Sequence, residues 1–210
     1  MSDLLRQALD DIERRLRTKR LFDGESASIS LRVPGQSAAL FAHAGDEPRT
    51  VSFSDGVTGD AALHACVYQA RPDVGGIFVG TTMWMTALAA LGVALPSLFD
   101  EQARHIGRPA APVAPGDLGA LAESLANGAN AVLVGTRRVG LGSTPNRVVL
   151  NGDLFEKCAK AFVLAASTGQ PVRPLPAWAS ALWYEHLRKD QRRAASAYRS
   201  GRVPEGMDAY

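Results

Sequence analysis

The sequence predicts an α/β fold built around antiparallel strands, and three observations predict it. Two alternating runs, SISLRV (Ser28 to Val33) and SAALFAHA (Ser37 to Ala44), flank Pro34-Gly35 in the pattern of a β-hairpin. A short, fully apolar run, GGIFVG (Gly75 to Gly80), fits a central strand and leads directly into a helical phrase, TTMWMTALAALG. Beyond it, helical and strand patterns alternate. Strands grouped early as hairpins and later interleaved with helices argue for an α+β or mixed-sheet sandwich, and against a doubly wound parallel sheet. A dinucleotide-binding turn would place a glycine fingerprint between strand and helix, and GGIFVGTT lacks that spacing.

The elements follow in order. Leu4, Leu5, Ala8, Leu9, Ile12 and Leu16 recur at three- and four-residue steps, which predicts an amphipathic first helix that Ser2 or Asp3 could cap, ending near Phe22-Asp23-Gly24. After the hairpin, Thr50 to Ser54 predicts a third short strand. The loop SDGVTGD leads into the helix DAALHACVYQA, closed by Arg71-Pro72. Thr81 or Thr82 caps the helix after the central strand, and Gly92 stops it. Helices over FDEQARHIG and GDLGALAESLANG flank the proline-rich RPAAPVAPGD; strands NAVLVG and RVGLGS come next. A long helix is predicted from Gly152 to about Ser167, and another from Trp178 to Arg199 with Trp178, Trp183 and Tyr184 on its apolar side. PEGMDAY reads as a frayed end.

Bulk properties narrow the function classes. The chain has 210 residues, 46% of them hydrophobic and 21% charged, which suits one soluble domain with a sizeable core. The net charge is only +2, and the basic runs RRLRTKR and RKDQRR are interleaved with acids or apolar helical positions. They read as solvated helix faces, so no nucleic-acid partner is expected. No apolar run approaches the ~18 residues of a membrane span, and the N-terminus lacks a signal core. Cys66 and Cys158 stand in apolar helical surroundings without a finger-like partner and read as buried free thiols of a cytoplasmic protein.

Several phrases taken in order carry a resemblance: GESASISLRVPG, HAG, LHACVYQARPDVGGIF, LFDEQARHIG and NAVLVGTRRVGLG. Over roughly Ser2 to Ser167 the chain resembles the class II aldolase/adducin family, which includes L-fuculose-phosphate aldolases and ribulose-phosphate 4-epimerases. The resemblance implies a three-layer α/β/α sandwich around a largely antiparallel mixed sheet. It also implies an aldolase-like domain over 1–175, with a C-terminal helical extension over 176–210 that packs on the same domain or on a neighbouring subunit. Such proteins are usually homotetramers with sites at subunit boundaries, so a homo-oligomer, or a hetero-oligomer with a paralogous chain, is expected.

In members with lyase, decarboxylase or epimerase activity, a His-x-His pair and a third histidine hold a divalent metal, and a carboxylate on the preceding helix acts as acid and base. The His-x-His positions fall here on Val79 and Thr81, and the third on Arg137 or Arg138. Valine offers no lone pair, a threonine hydroxyl is a poor zinc ligand, and a guanidinium stays protonated. The usual zinc site, and with it any metal cofactor, is therefore expected to be absent. The carboxylate position falls on Asp60, a candidate acid/base that also begins a helix and reads on structural grounds as its N-cap.

Arg137 is the candidate anion or enolate stabiliser, a fixed cation where the metal would sit; a plainer reading is an arginine of a strand-to-turn segment paired with a surface acid. Ser26, Ser28, His43, Gly45, Thr81 and Arg138 are the candidate ligand-binding residues around it. His64, four residues after Asp60, could face it on one helical turn, or simply pack against the sheet. A relocated metal site of His43, Asp60 and His105 is a further alternative. Three functions follow: a divergent metal-free protein that binds a small anionic metabolite, assembles with a partner or acts as a non-classical (pseudo)aldolase; an active carbon-carbon lyase, decarboxylase or epimerase using Asp60 and Arg137 or an unusual metal site; and a structural or interaction module.

Overall fold

The computed structural model describes residues 2–22, 26–54 and 56–205. Six strands, β1 (Ser28–Arg32), β2 (Ala38–His43), β3 (Arg49–Ser52), β4 (Gly76–Gly80), β5 (Ala131–Val134) and β6 (Arg137–Gly142), form one sheet in the order β3-β2-β1-β4-β6-β5. Every neighbouring pair is antiparallel, and a parallel contact occurs as the isolated bridge between Val113 and Val134. The apolar run of the sequence is thus the buried fourth strand, flanked by β1 and β6.

Helices cover both faces, giving the three layers. On one face, α1 (Ser2–Thr18) and the first turns of α6 (Pro145–Ala166) bury Leu9, Ile12, Leu16 and Val148 against Ile29, Leu31, Leu40 and Phe78. On the other, α2 (Gly59–Ala70) and α5 (Leu118–Leu125) bury Leu63, Val67, Tyr68, Leu121 and Leu125 against Ile77, Val79, Val139 and Leu141. Alternation along each strand explains the division, because neighbours in sequence point to opposite faces. A third apolar cluster joins α3 (Met83–Ala90), Ile106 just after α4 (Asp100–His105) and the middle of α6 to Ala131 and Leu133 of β5. The last helix, α7 (Ala177–Arg199), packs on α4 with Tyr184, Leu187, Ala194 and Tyr198 buried.

Four expectations need correction. The sixth helix begins at Pro145 and not near Gly152, because Thr144 caps it by accepting from the Arg147 amide and Pro145 takes the first helical position. Trp178 does not pack inward with Tyr184; it is 78% exposed, whereas the Tyr184 hydroxyl is buried against Ser97 at 2.7 Å. Cys158 is buried as expected, but Cys66 is only half-buried and lends its thiol to the Leu118 carbonyl. The first helix stops at Thr18, and Arg20 follows with a φ of 55°. The expected helix end at 23–24, part of GESAS, and the terminal residues 206–210 lie outside the described residues. No helix among the described residues is long and apolar enough to cross a membrane.

Phe78 governs how tightly the sheet meets α6. Its ring occupies the space that a Cβ on Gly140 of β6 would enter at 2.3 Å and one on Gly152 of α6 at 2.7 Å. Gly140→Ala should therefore destabilise the protein by about 1–3 kcal/mol through overpacking. Gly119→Ala in α5, whose new Cβ would come no closer than 3.6 Å to other atoms, should leave stability unchanged or slightly raised. Urea unfolding of the two variants beside the parent checks both; equal midpoints for all three would refute the packing assignment.

Candidate functional site

One end of the sheet collects most of the residues singled out in the sequence. The register sets Ser28 of β1 opposite His43 of β2 and Val79 of β4, and Gly80 opposite Arg138 of β6. Arg137 therefore begins β6 beside the point where Thr81 leaves β4. Above this edge stands the start of α2. Its N-cap is Thr58, not Asp60, so the capping reading of Asp60 is corrected. Asp60 lies in the first turn, where helix geometry frees its carboxylate to point down onto the sheet.

Arg137 meets that carboxylate end-on. Its Nη1 donates to Asp60 Oδ2 at 2.9 Å and its Nη2 to Oδ1 at 2.9 Å, a two-pronged ion pair, while Nη1 also reaches the Ser26 carbonyl at 3.3 Å. The side-on fork of the guanidinium, Nε–H and the outer Nη2–H, has no hydrogen-bond partner among the described residues, and the side chain is 26% exposed. Burial alone would raise the Asp60 carboxyl; the bonds and charge of Arg137 outweigh it, with help from His64 and Ser28, and hold it below the usual carboxylate range. Asp60 is ionised at neutral pH.

Behind the pair runs a buried chain of hydrogen bonds. Ser28 donates to Asp60 Oδ2 at 3.2 Å and lies 3.1 Å from His64 Nε2. His64 Nδ1 lies 2.7 Å from Ser30, and Ser30 lies 2.9 Å from the Tyr68 hydroxyl. The ionised carboxylate fixes the direction of every link. Ser28 gives its proton to Asp60, so it must accept from His64, which places the imidazole proton on Nε2. Nδ1 then accepts from Ser30, and Ser30 accepts from Tyr68. Ser28 and Ser30 are two apart on a strand and His64 and Tyr68 four apart on a helix, so each pair shares a face. The Phe41 ring meets the His64 and His43 rings edge-on, at 5.1 Å in both cases. Burial pushes the His64 pKa down to about 3 despite the pull of Asp60.

The remaining candidates divide. His43 and Thr81 are half-buried at the same end of the sheet, and Gly45 makes the exposed turn after β2 with a φ of 87°. Arg138 is not a ligand-binding neighbour of Arg137. One residue along the strand it points through the opposite face, fully buried, where it meets Glu156 at 3.0 Å, the Gly152 and Leu21 carbonyls at 3.3 Å and the Phe78 ring. Burial lowers its pKa to about 10, with Glu156 opposing the shift. His105 belongs elsewhere too: it sits in α4, 2.6 Å from Arg147, so it does not join His43 and Asp60. Ser30 and Tyr68 were missed as site residues. The signal for them was a pair of serines alternating with Ile29 and Leu31 on a buried strand, opposite a His-x3-Tyr spacing on a helix.

The model of the class II aldolase and adducin N-terminal domain matches residues 40–163. The chain belongs to that family. Its fold matches solved structures of class II aldolase type at low identity. An L-fuculose 1-phosphate aldolase superposes with a TM-score of 0.74 at 20% identity, covering 90% of this chain and 97% of the other. The Glaciozyma antarctica L-fuculose 1-phosphate aldolase gives 0.71 at 18%, covering 94% and 87%. YgbL of Escherichia coli, a putative aldolase/epimerase/decarboxylase, gives 0.70 at 20%, covering 86% and 97%. A search of curated proteins found no match.

The class II aldolase resemblance implies a divalent metal, and the residues present do not fit one. Val79 is an alkyl side chain packed in the core under α2. Both Asp60 oxygens are taken by a guanidinium that carries its own positive charge. No group of three or more His, Cys, Asp or Glu converges among the described residues in a way that could hold a metal ion.

The buried imidazole yields a test. An unfolded histidine binds a proton near pH ~6.5, whereas folded His64 does so only near 3. The unfolded state holds more protons between those values, so the contribution of His64 is intact above the upper one and is lost as pH falls toward the lower. Nitrogen-15 NMR should show His64 neutral, with its proton on Nε2, at pH 7 and at pH 5. A proton on Nδ1, or titration near the unfolded value, would contradict the direction assigned to the chain.

Proposed function

We propose that this chain is a class II aldolase-type protein that binds a small anionic metabolite at Arg137 and does not use the metal-dependent chemistry of its family. The observation that carries the reading is the two-pronged Asp60–Arg137 pair. It occupies the end of the sheet with a fixed cation where family chemistry calls for a metal, and it leaves one bidentate edge of that partly exposed cation without a partner among the described residues. A carboxylate or phosphoryl group fits this edge with two parallel N–H···O bonds. His43, Thr81 and the exposed Gly45 turn lie at the same end of the sheet.

The charge state of Asp60 favours binding over catalysis. A general acid or base works best with a pKa near the operating pH; Asp60 is held in the opposite direction, ionised and tied to Arg137. The alternatives remain distinct in outcome. An active lyase, decarboxylase or epimerase would turn over a hydroxy or oxo acid, and an interaction module would bind neither.

Elemental mass spectrometry of tag-free protein, soaked with zinc, manganese and iron and then desalted, should find less than stoichiometric metal. Calorimetric screening of small hydroxy and oxo acids and their phosphates should find a ligand whose binding Arg137→Met removes. Loss of a two-pronged charged contact should weaken affinity about tenfold or more. Stoichiometric metal, or a ligand indifferent to Arg137→Met, would sink the reading.

A further inference from the structure

At the far end of β1 from Ser28, a second arginine is held in an unusual way. The Arg32 guanidinium is half-buried, with Nε donating to the Val74 carbonyl at 2.7 Å and Nη2 to the Tyr68 and Arg71 carbonyls at 2.8 and 3.1 Å. Its central carbon stands 4.8 Å from the centre of the Tyr68 ring, 5.4 Å from Phe53 and 5.7 Å from Tyr198. Carbonyl oxygens and ring faces orient a guanidinium, but none carries a formal negative charge. Arg71, Arg137 and Arg138 differ in this respect, each having a carboxylate within 3.0 Å. The acid that acts on Arg32 from nearby is Asp73, and Arg71 already holds both of its oxygens.

Arg32 also faces a cleft of about 270 Å³ between the turn of the first hairpin and the end of α7. Gly35, Gln36 and Ser37 line one wall, and Tyr198 and Arg199 the other. Arg32 Nη1 makes no hydrogen bond among the described residues, and no Asp or Glu lines the cleft among them. A charge removed from water calls for a counter-charge. Here two guanidiniums, one rigid and one on the exposed last turn of α7, share a recess with a hydroxyl and an amide and without an acid.

We propose that this cleft is a second anion site, separate from the Asp60–Arg137 end, that takes a compact dianion of the phosphate monoester class. Arg32 Nη1 and the Arg199 guanidinium hold phosphoryl oxygens from two sides, Ser37 and Gln36 supply neutral donors, and the organic group lies along Tyr198. The volume admits a few carbon atoms beyond the phosphate. The inference does not depend on the function proposed for Arg137.

The test is calorimetric titration with inorganic phosphate, then with glycerol phosphate, at constant ionic strength. Four proteins are compared: the parent, Arg199→Ala, Arg32→Met and Arg137→Met. The parent should show saturable binding, and Arg137→Met should retain, at unchanged affinity, the component that Arg199→Ala weakens. Arg199→Ala should bind about tenfold or more weakly, with an unchanged melting temperature because the side chain is exposed. Arg32→Met removes both the anion contact and the props under three carbonyls, so it should lose binding and melt lower. Three outcomes would overturn the proposal: no saturable binding by the parent, equal affinity in Arg199→Ala, or binding lost in Arg137→Met and kept in Arg199→Ala, which would move the anion to the other end of the sheet.

Discussion

The ion pair between Asp60 and Arg137 sets the state of the whole face beneath α2. It joins the first turn of that helix to the first residue of β6, two strands along the sheet from Ser28 of β1, which also bonds Asp60. It also keeps Asp60 ionised, and an ionised carboxylate can only accept. From that one fact follow the orientation of Ser28, the tautomer of His64 and the donor roles of Ser30 and Tyr68. A buried polar network is costly when any member is left unsatisfied; this one has a single consistent direction because its terminus carries a charge.

The same pair explains why a preserved scaffold can carry different chemistry. A metal needs open coordination positions and several converging lone pairs. A guanidinium supplies none of these, but it supplies a permanent charge and a flat donor edge. Exchanging one for the other retains an attraction for anions and gives up the capacity to polarise a substrate oxygen strongly. Core residues such as Val67, Ile77 and Val139 are indifferent to this exchange, since they pack on apolar neighbours in either case.

Much of this was readable in the sequence, and the failures have physical causes. Periodicity located the hairpin, the central strand and the helices, while the family resemblance pointed to Ser28, His43, Asp60, Thr81 and Arg137, which the fold gathers at one end of the sheet. The start of α6 was missed because Thr144-Pro145 follows a strand without a break, and the helix reading began at the Gly152 interruption instead. Arg138 was misplaced by treating adjacent strand residues as equivalent, although strand geometry sends them to opposite faces. Asp60 was read as a cap because local chemistry favours it there; only the fold reveals that Arg137 offers a better partner. The chain through Ser30 and Tyr68 depends on which helix lies over which strand, and that is a tertiary fact.

Phe78 shows how a packing detail constrains ancestry. Its ring sits in space that side chains at 140 and 152 would otherwise fill, so residues on three separate elements share one volume. None of the three can drift alone: a larger residue at either glycine collides with the ring, and a smaller one at 78 leaves a void between sheet and helix. Descendants of this chain should inherit the trio together or lose it together, whatever happens to the charged residues at the sheet's end.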